Sequence, residues 1–145
     1  MIRQTILTPA VVLVLWTLVM LIWLALVRFP AVKATPKESL RKLPRVGGRG
    51  QDLEGVIDPK AQWPAHNYAH LHEQPTLFYA VVAILALTGQ GVGLNTTLAW
   101  AYVAIRIVHS IWQSTVNTLP VRFGLFILSS LVLVALAINA LRATL

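Results

Sequence analysis

From Ile6 to Val27 the chain carries no ionisable side chain. About 22 such residues make a helix of roughly 33 Å, enough to cross a hydrocarbon core of about 30 Å. This run constrains the fold most, because backbone buried in lipid must satisfy its own hydrogen bonds, and a helix does so locally. Apolar residues make up 57% of the 145 and charged residues only 12%, against about 25% charge in ordinary soluble domains. That balance argues against a water-soluble monomer and against disorder. The length suits one domain.

Three further segments read as spans. Residues 65–88 have a polar first third, an apolar run from Pro75 to Thr88, and then Gly89, Gly91 and Gly93 as a short uncharged connection. Residues 97–119 and 123–141 are two more apolar stretches, separated by the turn at Pro120. The expected fold class is therefore an all-α integral membrane protein, a four-transmembrane-helix bundle with spans at 6–27, 65–88, 97–119 and 123–141. Arg28 and Pro30 are expected to mark the exit of the first span. The loop 28–64 joins the first two spans and holds Pro36, Pro44, Pro59 and Gly-Gly-Arg-Gly at 47–50. That glycine run follows no strand and lacks the spacing of a phosphate-binding loop.

Twelve Lys and Arg against five Asp and Glu give a formal charge of +7. Eight of the basic residues fall between Arg28 and Lys60, together with four acidic ones. Cations concentrated beside a span are first a positive-inside signal, so the long loop and Arg122 are assigned to the cytoplasm, and nucleic acid is not expected as a partner. Arg3 and Arg142, at the other end, oppose this orientation weakly. Cysteine is absent, so the chain has no thiolate of its own, and any thiol chemistry must use a substrate's thiol.

Two spans carry polar stripes. At 100° per residue, Arg106, His109, Gln113 and Asn117 fall within about 80° of one another. His66, His70 and Glu73 likewise share a face, while His72 points elsewhere. An intramembrane arginine costs several kcal/mol unless it faces protein or a polar cavity, so an Arg106–Glu73 pair is expected, with His109 able to bridge. One reading is that the stripes merely lock the helices together. The other is a site for an anionic or polar-headed ligand, with Arg28 and Arg122 at its mouth. The spacing of His66, His70 and Glu73 matches no specific metal signature, and no metal is assigned. A carrier for a small solute is a weaker alternative, since no inverted repeat or pair of broken spans is evident.

The order and length of the spans, the long first loop, and the segments HNYAHLHEQPTLFYA at 66–80, LAWAYVAIRIVHS at 98–110 and NTLPVRFGLF at 117–126 resemble the MAPEG family. These are the membrane-associated proteins in eicosanoid and glutathione metabolism, and the likeness is particularly to bacterial members, which implies a bacterial inner membrane. The resemblance implies a homotrimer with glutathione, as co-substrate, held between neighbouring subunits and lipophilic small molecules entering from the lipid bilayer. It implies a glutathione-dependent transferase or peroxidase; since one member binds a protein without established enzyme chemistry, the alternative is a non-catalytic scaffold or interaction module. Arg28, Glu73, Arg106 and His109 match the family's binding positions, and Arg122 matches the arginine near the glutathione thiol, which makes it the candidate catalytic residue. His66 and His70 stand where the family has arginine and asparagine. Gln113 replaces the tyrosine of eicosanoid-forming members, which directs the expectation away from eicosanoid synthesis.

Overall fold

The computed structural model describes residues 5–145; Arg3 lies outside them. Six α-helices follow in order: α1 Leu7–Ala34, α2 Lys37–Leu40, α3 Pro59–His70, α4 Gln74–Leu87, α5 Leu94–Thr115 and α6 Leu119–Thr144, with a single 3-10 turn at Gly50–Leu53. Among the described residues the fold is all-α.

The chain runs back and forth between two ends of one bundle. At one end Ile6 donates its backbone N–H to Gly91 (3.0 Å), and Asn139 on α6 donates to Asn95 on α5 (2.8 Å). At the other end Arg28 on α1 donates to Gln62 on α3 (2.8 Å). Between them Leu13, Met20, Phe78, Val82, Leu85, Tyr102 and Leu136 form a closed apolar core. Phe78 and Tyr102 stack within it, with centroids 4.4 Å apart.

Among the described residues, only α1 and α6 are each long and apolar enough to cross a membrane unaided. The most apolar stretch of each is just 17% buried inside the bundle. A core helix of a soluble protein would show the reverse, and so broad an apolar exterior needs lipid or partner protein against it.

The second expected span is broken. Helix α3 ends at His70 and α4 starts at Gln74, with a turn at Leu71–Glu73 between them. Pro75 causes the break: it has no N–H for the Leu71 carbonyl, and its ring would collide with that carbonyl in a continuous helix. Other boundaries also differ from expectation. Helix α1 runs past Arg28 and through Pro30 to Ala34. Helix α5 stops at Thr115 rather than Leu119, because Asn117 takes φ 58°, a left-handed conformation that asparagine tolerates. Helix α6 begins at Leu119, with Pro120 in its first turn where a missing N–H costs nothing, so Arg122 is helical rather than part of a link.

Candidate functional site

The polar stripe of α5 is buried, and the break after α3 decides what it meets. Arg106 is 0% exposed. Its Nη2 donates to His70 Nδ1 (3.0 Å) and to the His70 carbonyl (3.2 Å). A guanidinium only donates, so His70 Nδ1 is an acceptor and the ring's proton sits on Nε2. That Nε2 faces Glu73 Oε2 at 3.8 Å. The expected direct Arg106–Glu73 ion pair does not form: the turn at Leu71–Glu73 swings Glu73 outward, where its side chain is 68% exposed. His70, not His109, links the cation to the carboxylate.

His109 is 2% exposed and stacks on His70, with centroids 5.2 Å apart and planes 20° apart. Phe126 meets the other side of His70 edge-on at 5.6 Å. Arg122, one turn into α6, completes the group, its Nη1 donating to Asn117 Oδ1 (2.7 Å). A cavity of about 180 Å³ lies among His70, His109, Leu119, Arg122, Phe123 and Phe126. Its floor is imidazole and guanidinium, while Leu119 and Phe123 on its rim face outward. Two further N–H groups of Arg106, Nε and Nη1, are buried without a hydrogen-bond partner, as is Arg122 Nε. Arg106 itself is enclosed behind His70 and does not line this cavity, whose one cation is Arg122.

Arg28 and His66 fall elsewhere. His66 Nε2 meets Glu54 Oε1 from the long loop at 3.0 Å, and the Arg28 Nη1 lies so close to Gly50 that a Cβ there would sit 2.8 Å from it. Both line a second cavity of about 560 Å³ between α1 and α3, walled by Leu21 and Leu24. The candidates therefore divide into two groups flanking α3: His70, Glu73, Arg106, His109 and Arg122 on one side, Arg28 and His66 on the other. Gln113 joins neither; it is 3% exposed, and its Oε1 has no partner. Asn117 has left the α5 stripe and orients Arg122 instead.

Several polar residues escaped the sequence reading. Asn67 is fully buried and donates to Ser110 across α3 and α5. Gln74 donates to Ser130 (2.7 Å) and accepts from Tyr102 (3.2 Å), tying α4, α5 and α6 together. A signal for Tyr102 and Ser110 existed: each lies four residues from Arg106, on the same stripe.

Helical architecture and site together define the class: an all-α bundle of the integral membrane kind, with a cationic polar centre enclosed by its helices. Within that class, the profile of the MAPEG family matches residues 6–142, and the chain belongs to that family. No curated protein and no solved structure matches it. Membership carries a general association with glutathione-dependent enzymes and with scaffolding roles.

Proposed function

We propose that this protein is a glutathione-dependent transferase or peroxidase acting on lipophilic electrophiles or hydroperoxides, working as a homotrimer with four helical passes through a bacterial inner membrane and its long loop on the cytoplasmic side. The observation that carries this is the cavity in which Arg122, His70 and His109 meet the apolar rim of Leu119 and Phe123. Arg106 lies behind that wall, joined to it by two hydrogen bonds to His70. Fixed cations suit a small peptide bearing carboxylates and a thiolate; the rim suits a hydrophobic second substrate.

The residues fit glutathione as a donor set. Arg106, enclosed behind His70, would act on a bound carboxylate through its charge and by holding the His70 ring in place, with Glu73 available for an ammonium group. Arg122 stabilises a thiolate electrostatically, and each pH unit by which it lowers the thiol pKa corresponds to about 1.4 kcal/mol. Asn117 holds Arg122 in place. Bound glutathione supplies the nucleophilic sulfur: at an electrophilic carbon it forms a thioether as the leaving group departs or the adduct is protonated, and at a hydroperoxide it breaks the O–O bond, takes one oxygen and releases the alcohol, a second glutathione then giving the disulfide and water. Arg28 and His66, on the far flank of α3, come to the same ligand if rotational symmetry sets one flank of α3 against the other flank of a neighbour's.

The test is turnover of purified protein with glutathione and a panel of hydrophobic electrophiles and lipid hydroperoxides. The Arg122→Ala variant is expected to retain its thermal unfolding profile and lose turnover. Unchanged turnover would remove Arg122 from catalysis; absence of glutathione binding at millimolar concentration would remove the enzyme reading. The second reading, a non-catalytic scaffold, draws on the bonds Asn67–Ser110, Gln74–Ser130 and Asn139–Asn95, which use polar side chains to join helices. Under it, polar substitutions alter assembly and glutathione stabilises nothing.

A further inference from the structure

The proposed site uses Arg28 and Arg122 and leaves the remaining cations of the long loop unassigned. Between residues 33 and 49 stand Lys33, Lys37, Arg41, Lys42, Arg45 and Arg49, against Glu38 as the one acid. All six cations are exposed. Among the described residues, none of them has a carboxylate at ion-pair distance; the two pairs found join His66 to Glu54 and His70 to Glu73. The other acids of the loop are engaged. Asp52 accepts from the Arg49 backbone N–H, Asp58 accepts from that of Lys60, and Glu54 holds His66.

Position matters as much as charge. At 28 residues α1 is about 42 Å long, beyond a hydrocarbon core of about 30 Å, so its last turns reach headgroup depth. The loop does not then drift away from the bundle. Gly50 packs on the Arg28 guanidinium, Glu54 bonds His66, and Ile57 is buried at the bundle end. Residues 35–49 are thus tethered at both ends to the level where α1 leaves the apolar zone. Within that stretch Lys37, Leu40, Arg41, Leu43 and Arg45 enclose a concavity of about 260 Å³. Three cations surround two half-buried leucines, with no acid among the lining residues.

We propose that this concavity is a binding site for the headgroup of an anionic phospholipid. The phosphate lies among Lys37, Arg41 and Arg45, and the glycerol and upper acyl carbons lie on Leu40 and Leu43. Basic side chains tethered at headgroup depth face a surface of opposite sign, and leucines between them suit the boundary between headgroup and acyl chain. A soluble anion would gain nothing from those leucines. This site is independent of glutathione binding, because it shares no residue with either cavity flanking α3.

Native mass spectrometry of the full chain in a neutral detergent, titrated with phosphatidylglycerol or phosphatidylcholine, tests this directly. Wild type is expected to retain phosphatidylglycerol preferentially. The triple variant K37Q/R41Q/R45Q is expected to lose roughly tenfold or more of that affinity, while K33Q/K42Q/R49Q, which removes the same charge from the same loop, keeps most of it. All six side chains are exposed, so both variants should fold, and thermal unfolding checks this. Equal losses in the two variants would reduce the effect to diffuse charge and overturn the site. Displacement of the lipid by inorganic phosphate or a short oligonucleotide at matched charge would overturn the lipid assignment.

Discussion

Arg106→Met separates a ligand site from a structural clamp. Wild-type Arg106 makes two hydrogen bonds, both to His70, and leaves Nε and Nη1 buried without partners. Losing two bonds to a charged donor costs about 1.5–3 kcal/mol each, while removing two unsatisfied buried donors returns about 1–3 kcal/mol each or more, since they belong to a charged group. The buried guanidinium also carries a desolvation penalty that an apolar side chain of similar length does not. The two sums nearly cancel, so the variant is expected to unfold within about 1 kcal/mol of wild type. Ligand response should change far more. Glutathione at a hundred times its dissociation constant stabilises a binding protein by about 2.7 kcal/mol, and that increment should vanish. Thermal unfolding in detergent, with and without glutathione, reads both quantities in one series. A variant destabilised by more than about 3 kcal/mol would identify Arg106 as a helix clamp of the kind whose loss strands buried partners. A variant that still gains stability from glutathione would refute the binding role.

Other expectations follow from neighbouring contacts. Asn117→Gly retains the left-handed turn but releases Arg122, so turnover should fall about tenfold, the equivalent of one pH unit in thiol pKa, with unfolding temperature little changed. Gln74→Leu leaves the Tyr102 hydroxyl without its acceptor and Ser130 without its donor, and should lower stability by about 1–3 kcal/mol in a denaturation assay. Pro75→Ala removes the ring that interrupts the middle of the bundle, so backbone amides at 71–75 should gain protection in hydrogen exchange; unchanged protection would show that the break has another cause.

The apolar runs that became α1 and α6 were legible because the length of an uncharged stretch is a direct physical measure of what it can cross. The side of α5 that turns inward was legible too, since Arg106, His109 and Gln113 obey helical spacing and are all buried. Projecting 100° per residue through Pro75's turn was less successful. It put Glu73 beside His66 and His70 on one face, whereas the turn at 71–73 moves Glu73 outward and leaves His70 to contact Arg106. Asn117 shows the same limit, because one left-handed residue ended the helix and gave its side chain to Arg122. His66 found its partner in Glu54, from a loop without periodicity, and nothing local announces such a contact. How the two flanks of α3 would meet in the proposed trimer depends on contacts between copies, which the periodicity of one chain does not specify.

Equilibrium binding of labelled glutathione to the purified membrane protein, compared among wild type, Arg106→Met and Arg122→Ala, tests the central claim most directly. Wild type should bind saturably, Arg106→Met should not bind, and Arg122→Ala should keep the peptide without stabilising its thiolate, seen as an unperturbed thiol absorbance titration. Wild-type protein that fails to bind at millimolar glutathione, or Arg106→Met protein that binds as wild type does, would contradict it.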